Sequence, residues 1–220
     1  MSRPAGPLPR LWLFTDDAYD VAHVARVVRA AREAVPVGVV VRSREPARRV
    51  ALVSALVGTG ASLLVSQEAE AAASGRAIGV HLGGLGGLGP AEIAAEFDRA
   101  REAVGDAGCV SVPCHENDDV LSVAASRADV VFVSPVLASP GKGAGRGVAC
   151  LTEARARAPG AWVVALGGIS TPAVAAACRA AGADGVGVVR ALLDAPSPGV
   201  VAAALLSPWG ASPWGSDGGA

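Results

Sequence analysis

Ala161-Trp162-Val163-Val164-Ala165-Leu166-Gly167-Gly168-Ile169-Ser170 is a short apolar run that stops in a pair of glycines and gives way to a helical pattern. Ala183-Asp184-Gly185-Val186-Gly187-Val188-Val189 repeats the arrangement a few residues on. Glycine permits positive φ and lets a ligand come close to the backbone. Amides left without carbonyl partners at a helix start attract an anion. Two such turns side by side suggest a phosphate cup, which in a (β/α)8 barrel is commonly built by the loops after strands seven and eight. Gly167 and Gly168 taken alone read equally well as a tight turn. Their place in the chain decides between the two, and that place follows from counting.

The count starts at Leu11-Trp12-Leu13-Phe14-Thr15, a first strand ended by Asp16-Asp17. From Tyr19 to Ala34, Val21, Val24, Val27, Val28 and Ala31 recur at helical spacing, with Arg26, Arg29 and Arg32 on the other side. Val37 to Val41 form a second strand that ends in Arg42-Ser43-Arg44, and a helix from about Pro46 to Val57 closes at Gly58 and Gly60. Ala61 to Val65 is the third strand, followed by a short helix from Gln67 to about Ser74. Ala77 to Leu82 is the fourth. It is followed by the glycine-rich loop 83–89 and a helix opened by Pro90. Cys109 to Val112 is the fifth strand and Glu116 to Arg127 its helix. Asp129 to Val133 is the sixth, with a long loop from Ser134 to Gly147 and a helix from Val148 to Ala158. Ala161 to Leu166 is therefore the seventh strand, and the eighth leads into a helix reaching about Leu206. Continuously apolar strands alternating with helices mean a parallel sheet covered on its outside. Eight units mean a single-domain (β/α)8 TIM barrel over residues 11–206 rather than an open sheet. Residues 1–10 read as an N-terminal arm. The stretch 207–220, which repeats Ser-Pro-Trp-Gly, reads as a flexible tail.

Composition narrows the function. The 220 residues are 51% hydrophobic with a mean hydropathy of +0.43, yet no apolar run approaches the ~18 residues of a membrane helix. No signal-peptide core fits the first residues. A net charge of −1 gives no field for nucleic acid. Cys109, Cys114, Cys150 and Cys178 show no paired metal spacing and read as reduced thiols of a cytoplasmic protein.

Active groups in this architecture come from the carboxyl ends of the strands. Those ends carry Thr15 and Asp16, Arg42 and Arg44, Ser66 and Gln67, His81, His115 and Ser134, with Ser139 and Lys142 in the sixth loop. Arginine and lysine neutralise phosphate oxygens. A histidine can move a proton near neutral pH. His81, between Val80 and Leu82, reads as a hydrogen-bonded structural residue, whereas His115, just past a strand, reads as functional. The expected phosphate-binding groups are Arg42, Arg44, Ser134, Ser139, Lys142, Gly167, Gly168, Val188 and Val189, with no metal ligand set.

The ordered set of segments resembles the thiamine phosphate synthase and TenI superfamily of barrels. The resemblance is carried by Leu11 to Asp16, Arg42-Ser43-Arg44, Gly79-Val80-His81-Leu82-Gly83, Ser111 to His115, and Val131 to Val136 with Ser139-Pro140-Gly141-Lys142. It continues through Ala165 to Ile169 and Gly182 to Val188. A synthase of this family couples a pyrimidine diphosphate to a thiazole phosphate and holds magnesium with two aspartates. Here those positions fall in Ser66-Gln67 and in Gly84-Leu85-Gly86-Gly87, without a carboxylate. The TenI-like branch lacks these aspartates too, and some of its members are thiazole tautomerases. Their catalytic histidine follows the fifth strand in a Ser-Val-His context, whereas here it stands two residues later as His115. The resemblance thus implies a small phosphorylated thiazole-like ligand, acid–base chemistry at His115, and no cofactor, magnesium entering only for a synthase. A non-catalytic phosphate-binding barrel and self-association as a homodimer stay open.

Overall fold

The computed structural model describes residues 7–67, 75–115, 118–139 and 143–210. Eight parallel strands close into one barrel in chain order: β1 Leu11–Phe14, β2 Val37–Val41, β3 Ser62–Ser66, β4 Gly79–His81, β5 Cys109–Cys114, β6 Val130–Val133, β7 Trp162–Leu166 and β8 Gly185–Val188. Helices α1 Val21–Ala34, α2 Pro46–Leu56, α3 Pro90–Val104, α4 Asp118–Ala124, α5 Ala149–Arg157 and α6 Pro172–Ala180 lie between them. The helix expected after β8 is broken into α7 Arg190–Leu193 and α8 Pro198–Leu206. Pro196 and Pro198 account for the break, because proline lacks the amide a continuing helix needs. The expected helix at 67–74 falls almost wholly outside the described residues. Asp20 opens α1 by accepting from the His23 amide (2.7 Å), and Thr171 caps α6 by accepting from the Val174 amide (3.3 Å). No helix among the described residues is long and apolar enough to cross a membrane.

Strand side chains alternate, and here both faces are buried. Leu11, Leu13, Val39, Val65, Val110 and Val131 join the layer between barrel and helices. Trp12, Phe14, Val40, Leu64, Cys109, Val130, Phe132 and Val164 form a separate interior cluster. Phe132 meets Trp12 and Phe14 edge-on at 5.6 and 4.9 Å between centroids. Space for Trp12 comes from Gly38, where a Cβ would lie 2.3 Å from the indole. Leu8 belongs to this interior cluster, so the end of the expected N-terminal arm closes the barrel floor. Trp209 is likewise buried, on a short 3-10 turn at Ser207–Trp209 held by Arg179 bonding the Pro208 carbonyl. Residues 207–210, expected to be flexible, are therefore ordered against the barrel, and residues 211–220 lie outside the described residues.

Two matching clamps hold the barrel at the starts of β6 and β8. Asp129 accepts from the Val110 amide (2.8 Å) and from Arg101 of α3 (2.6 Å). Asp184 accepts from the Val163 amide (2.8 Å) and from Arg155 of α5. In each, a carboxylate replaces a missing ladder acceptor and a helix cation neutralises it, so that both charges are paired at partly buried positions. All four cysteines are buried and unbridged.

Candidate active site

Following the inward phase of each strand to its carboxyl end, and one or two residues beyond it, gives the mouth of the barrel. Phe14 and Asp16, Arg42, Ser66, His81, Pro113 and His115, Ser134, Leu166 and Val189 all stand in the same phase as the interior cluster. All of them line one cavity of about 360 Å³. His115 lies two residues past the family's usual place. Two residues is a full period of the strand, so the residue still faces inward, about 6.6 Å higher along β5.

The floor is His81, Phe14 and Phe132. His81 meets both phenyl rings edge-on at 5.6 and 5.4 Å. Its Nδ1 lies 3.0 Å from Ser111 Oγ, which in turn lies 3.1 Å from the Val80 carbonyl. Burial, with the nearby Arg42 and His115 charges, pushes its pKa down to about 3. The residue is thus hydrogen-bonded, as expected from the sequence, and also forms part of the cavity wall.

On one wall Arg42 is tied to β1. Its Nε donates to the Thr15 carbonyl (2.8 Å), and the Thr15 hydroxyl donates to the Arg42 carbonyl (2.7 Å). Its guanidinium stands 5.5 Å from the Phe14 ring centroid. Burial lowers its pKa, partly opposed by Asp16 and Asp17. Arg44 is not part of the cavity. The chain has left β2 by that point, and Arg44 is exposed, its amide donating to Asp17 Oδ2 (3.2 Å) in the approach to α2.

On the opposite wall, His115 Nδ1 lies 3.0 Å from the Ser134 carbonyl and 3.1 Å from Ser134 Oγ. Only a protonated Nδ1 bonds a carbonyl, so the neutral ring leaves Nε2 as its basic nitrogen. Arg146 fixes the residue's backbone by donating to the His115 carbonyl (2.6 Å).

A second cavity of about 320 Å³ adjoins the first and is lined by Ser139, Gly167, Gly168, Ser170, Val188 and Val189, with Arg190. Gly167 and Gly168 have φ of 102° and 70°. The amides of Gly167, Gly168 and Val189 donate to no other group among the described residues. The helix after β8 is a single turn, so its dipole adds little, and the cup depends on the amides of the turns themselves. The loop after β6 is stitched to it: the Val136 amide donates to the Leu166 carbonyl (2.9 Å) and that of Leu137 to the Gly167 carbonyl (3.1 Å). Ser139 and Arg190 border both cavities. Arg190 was missed in the sequence, although its place one residue past the β8 turn marks it. Lys142 lies outside the described residues.

The family model described as thiamine monophosphate synthase matches residues 11–192. A thiamine-phosphate synthase of Halorhodospira halophila is 34% identical over 152 residues, covering 68% of this chain and 68% of the relative. One from Vibrio parahaemolyticus is 30% identical over 207 residues, covering 90% and 97%. Among solved structures, the thiamine phosphate pyrophosphorylase of Pyrococcus furiosus superposes with a TM-score of 0.66 at 19% identity over 89% of this chain and 93% of that one, a likeness of fold. The chain belongs to the thiamine phosphate synthase/TenI superfamily.

Proposed function

We propose that this barrel binds a small phosphorylated thiazole-like ligand and catalyses a thiazole-type tautomerisation, with His115 moving the proton. The observation that carries the reading is the fixed tautomer of His115, whose Nδ1–H is spent on the Ser134 carbonyl, beside a cup of unused backbone amides. The phosphate sits against Gly167, Gly168, Val188 and Val189, with Ser139 and Arg190 at its edge. Arg42 neutralises a second anionic group on the ring, and Ser134 borders it. His115 Nε2 takes a proton from one ring-system carbon. The imidazolium that forms is stabilised by the Ser134 carbonyl and returns the proton to another carbon, so that no atom is gained or lost.

A second reading, thiamine phosphate synthesis, is favoured by the names of the relatives. Magnesium, which that reading implies, does not fit the residues at the ends of β3 and β4. Ser66 and Gln67 are neutral, Gln67 holds a left-handed φ of 59°, and its amide nitrogen lies 3.7 Å from where a Cβ on Gly84 would be. We therefore derive no step through a metal.

One pair of assays separates the readings. Deuterium incorporation into a thiazole phosphate carboxylate is expected for the native protein and is expected to fall ~10²–10⁴-fold in His115→Ala, with phosphate affinity kept. Vigorous magnesium-dependent coupling of pyrimidine diphosphate to thiazole phosphate would instead establish the synthase. Phosphate binding with neither activity would leave a non-catalytic barrel.

A further inference from the structure

The floor histidine has one nitrogen that the fold does not use. Ser111 Oγ carries a single hydrogen, which is directed to the Val80 carbonyl (3.1 Å). Toward His81 Nδ1 (3.0 Å) the hydroxyl is therefore the acceptor, and Nδ1 holds the ring hydrogen. Nε2 is left bare, with a lone pair and no hydrogen. No group among the described residues donates to it, although the side chain is only 5% exposed. Among the described residues its neighbours offer no donor: Phe14 and Phe132 stand edge-on to it, and the one side-chain hydrogen bond of Arg42 goes to the Thr15 carbonyl. The small remaining exposure of the ring is onto the cavity it lines. Nε2 is not among the fully buried unpaired atoms, so it reaches the cavity's solvent, and a ligand that displaces that solvent without donating to Nε2 forfeits a hydrogen bond, a difference of roughly 5- to 150-fold against one that donates.

We propose that His81 selects the ligand by its ring, Nε2 accepting a hydrogen bond from an N–H or O–H of the ring end while the phosphate lies in the cup. The proposal rests on the phosphate-cup part of the reading above and narrows the ligand within it. The ligand class is a phosphate ester of a flat ring that bears a ring N–H, an amino group or a hydroxyl, received between apolar Phe14, Pro113 and Leu166. A ring with acceptors only leaves Nε2 unpaired and is disfavoured. For a tautomerase, the same contact tells the N–H form of a ring from the form without it. His81 stays neutral at physiological pH, because burial and then Arg42 and His115 hold its pKa near 3, and so it acts as an acceptor and not as the base.

Calorimetric titration of the native protein with inorganic phosphate, 2-phenylethyl phosphate and its three ring-hydroxylated isomers tests this. Inorganic phosphate should bind, and at least one hydroxylated ester should bind about 10-fold or more tighter than the phenyl ester. His81→Phe, which suits the aromatic floor but cannot accept, should keep phosphate affinity within about 2-fold and erase the preference. Ser111→Ala, which releases the tautomer without touching the ligand, should narrow it, and this holds the test even if His81→Phe fails to fold. Absence of any preference in the native protein, or a preference that survives His81→Phe, overturns the proposal and leaves the phosphate cup standing. Failure of inorganic phosphate and of every ester to bind removes the cup reading, and the proposal with it.

Discussion

Gly168→Ala probes the cup without touching an acid–base group. Two separate effects add at this position. Its φ of 70° is left-handed, which costs alanine about 1–2 kcal/mol. A Cβ there would also lie 2.6 Å from Leu137 Cβ and 2.8 Å from the Ala138 carbonyl oxygen, against an ordinary contact of roughly 3.5–4.0 Å. These neighbours cannot swing aside as the tip of a long side chain can. They sit on the loop whose Leu137 amide bonds the Gly167 carbonyl (3.1 Å), so relief means moving that backbone. Overpacking of this kind costs about 1–3 kcal/mol, for a total near 2–5 kcal/mol. At ~2–4 °C per kcal/mol for a domain of this size, the melting temperature should fall by roughly 4–20 °C. Two controls resolve the parts. Gly147, with φ 75° and nothing within 4 Å of a Cβ, carries the backbone effect alone, and Gly160, open and without positive φ, carries neither. Circular-dichroism melts should rank Gly160→Ala, Gly147→Ala and Gly168→Ala in order of increasing loss. Inorganic phosphate affinity should drop only in the last. A Gly168→Ala protein no less stable than Gly147→Ala, with native phosphate affinity, refutes the claim that the two loops meet without slack.

Asp129→Asn should cost ~1–3 kcal/mol in urea denaturation, because it strips the countercharge from Arg101 while leaving an acceptor for the Val110 amide, and ligand affinity should not change. Acid should destabilise the fold through His81. Its folded pKa lies below its unfolded value, so its contribution is full above about pH 6.5 and is lost as pH falls toward 3. Equilibrium unfolding across that window should show a shallower decline in His81→Phe, and an unchanged slope would contradict the burial of a neutral ring.

Much of this is written in the sequence as period. The eight apolar runs fixed the order of the barrel. Following their two-residue alternation to the strand ends and just beyond reaches Arg42, His81, His115 and Ser134, each of which lines the cavity. The same rule names Arg44 and fails there, because it holds only while the chain keeps the strand direction, and the turn held by Asp17 has already changed it. Trp209 escaped for a different reason. Composition averages over a window rich in glycine, proline and serine, whereas burial of one large ring beside α8 is decided by a single side chain. The tautomers of His81 and His115 depend on Ser111 and on the Ser134 carbonyl across neighbouring strands, pairings that no local pattern encodes.

The aspartate–arginine clamps have a further consequence. They stand at the starts of β6 and β8, whereas the cavity opens at the opposite ends of the strands. What keeps the barrel shut is therefore spatially separate from what decides its chemistry. Gln67 is exposed in a left-handed conformation that aspartate and asparagine tolerate better than most residues, and a Cβ on Gly86 would meet nothing within 4 Å. Carboxylates at these two positions would disturb no packing, so the charge of the mouth can change there while the barrel beneath stays the same. The rim of this barrel can thus be rewritten at single residues without calling on the clamps that hold it closed.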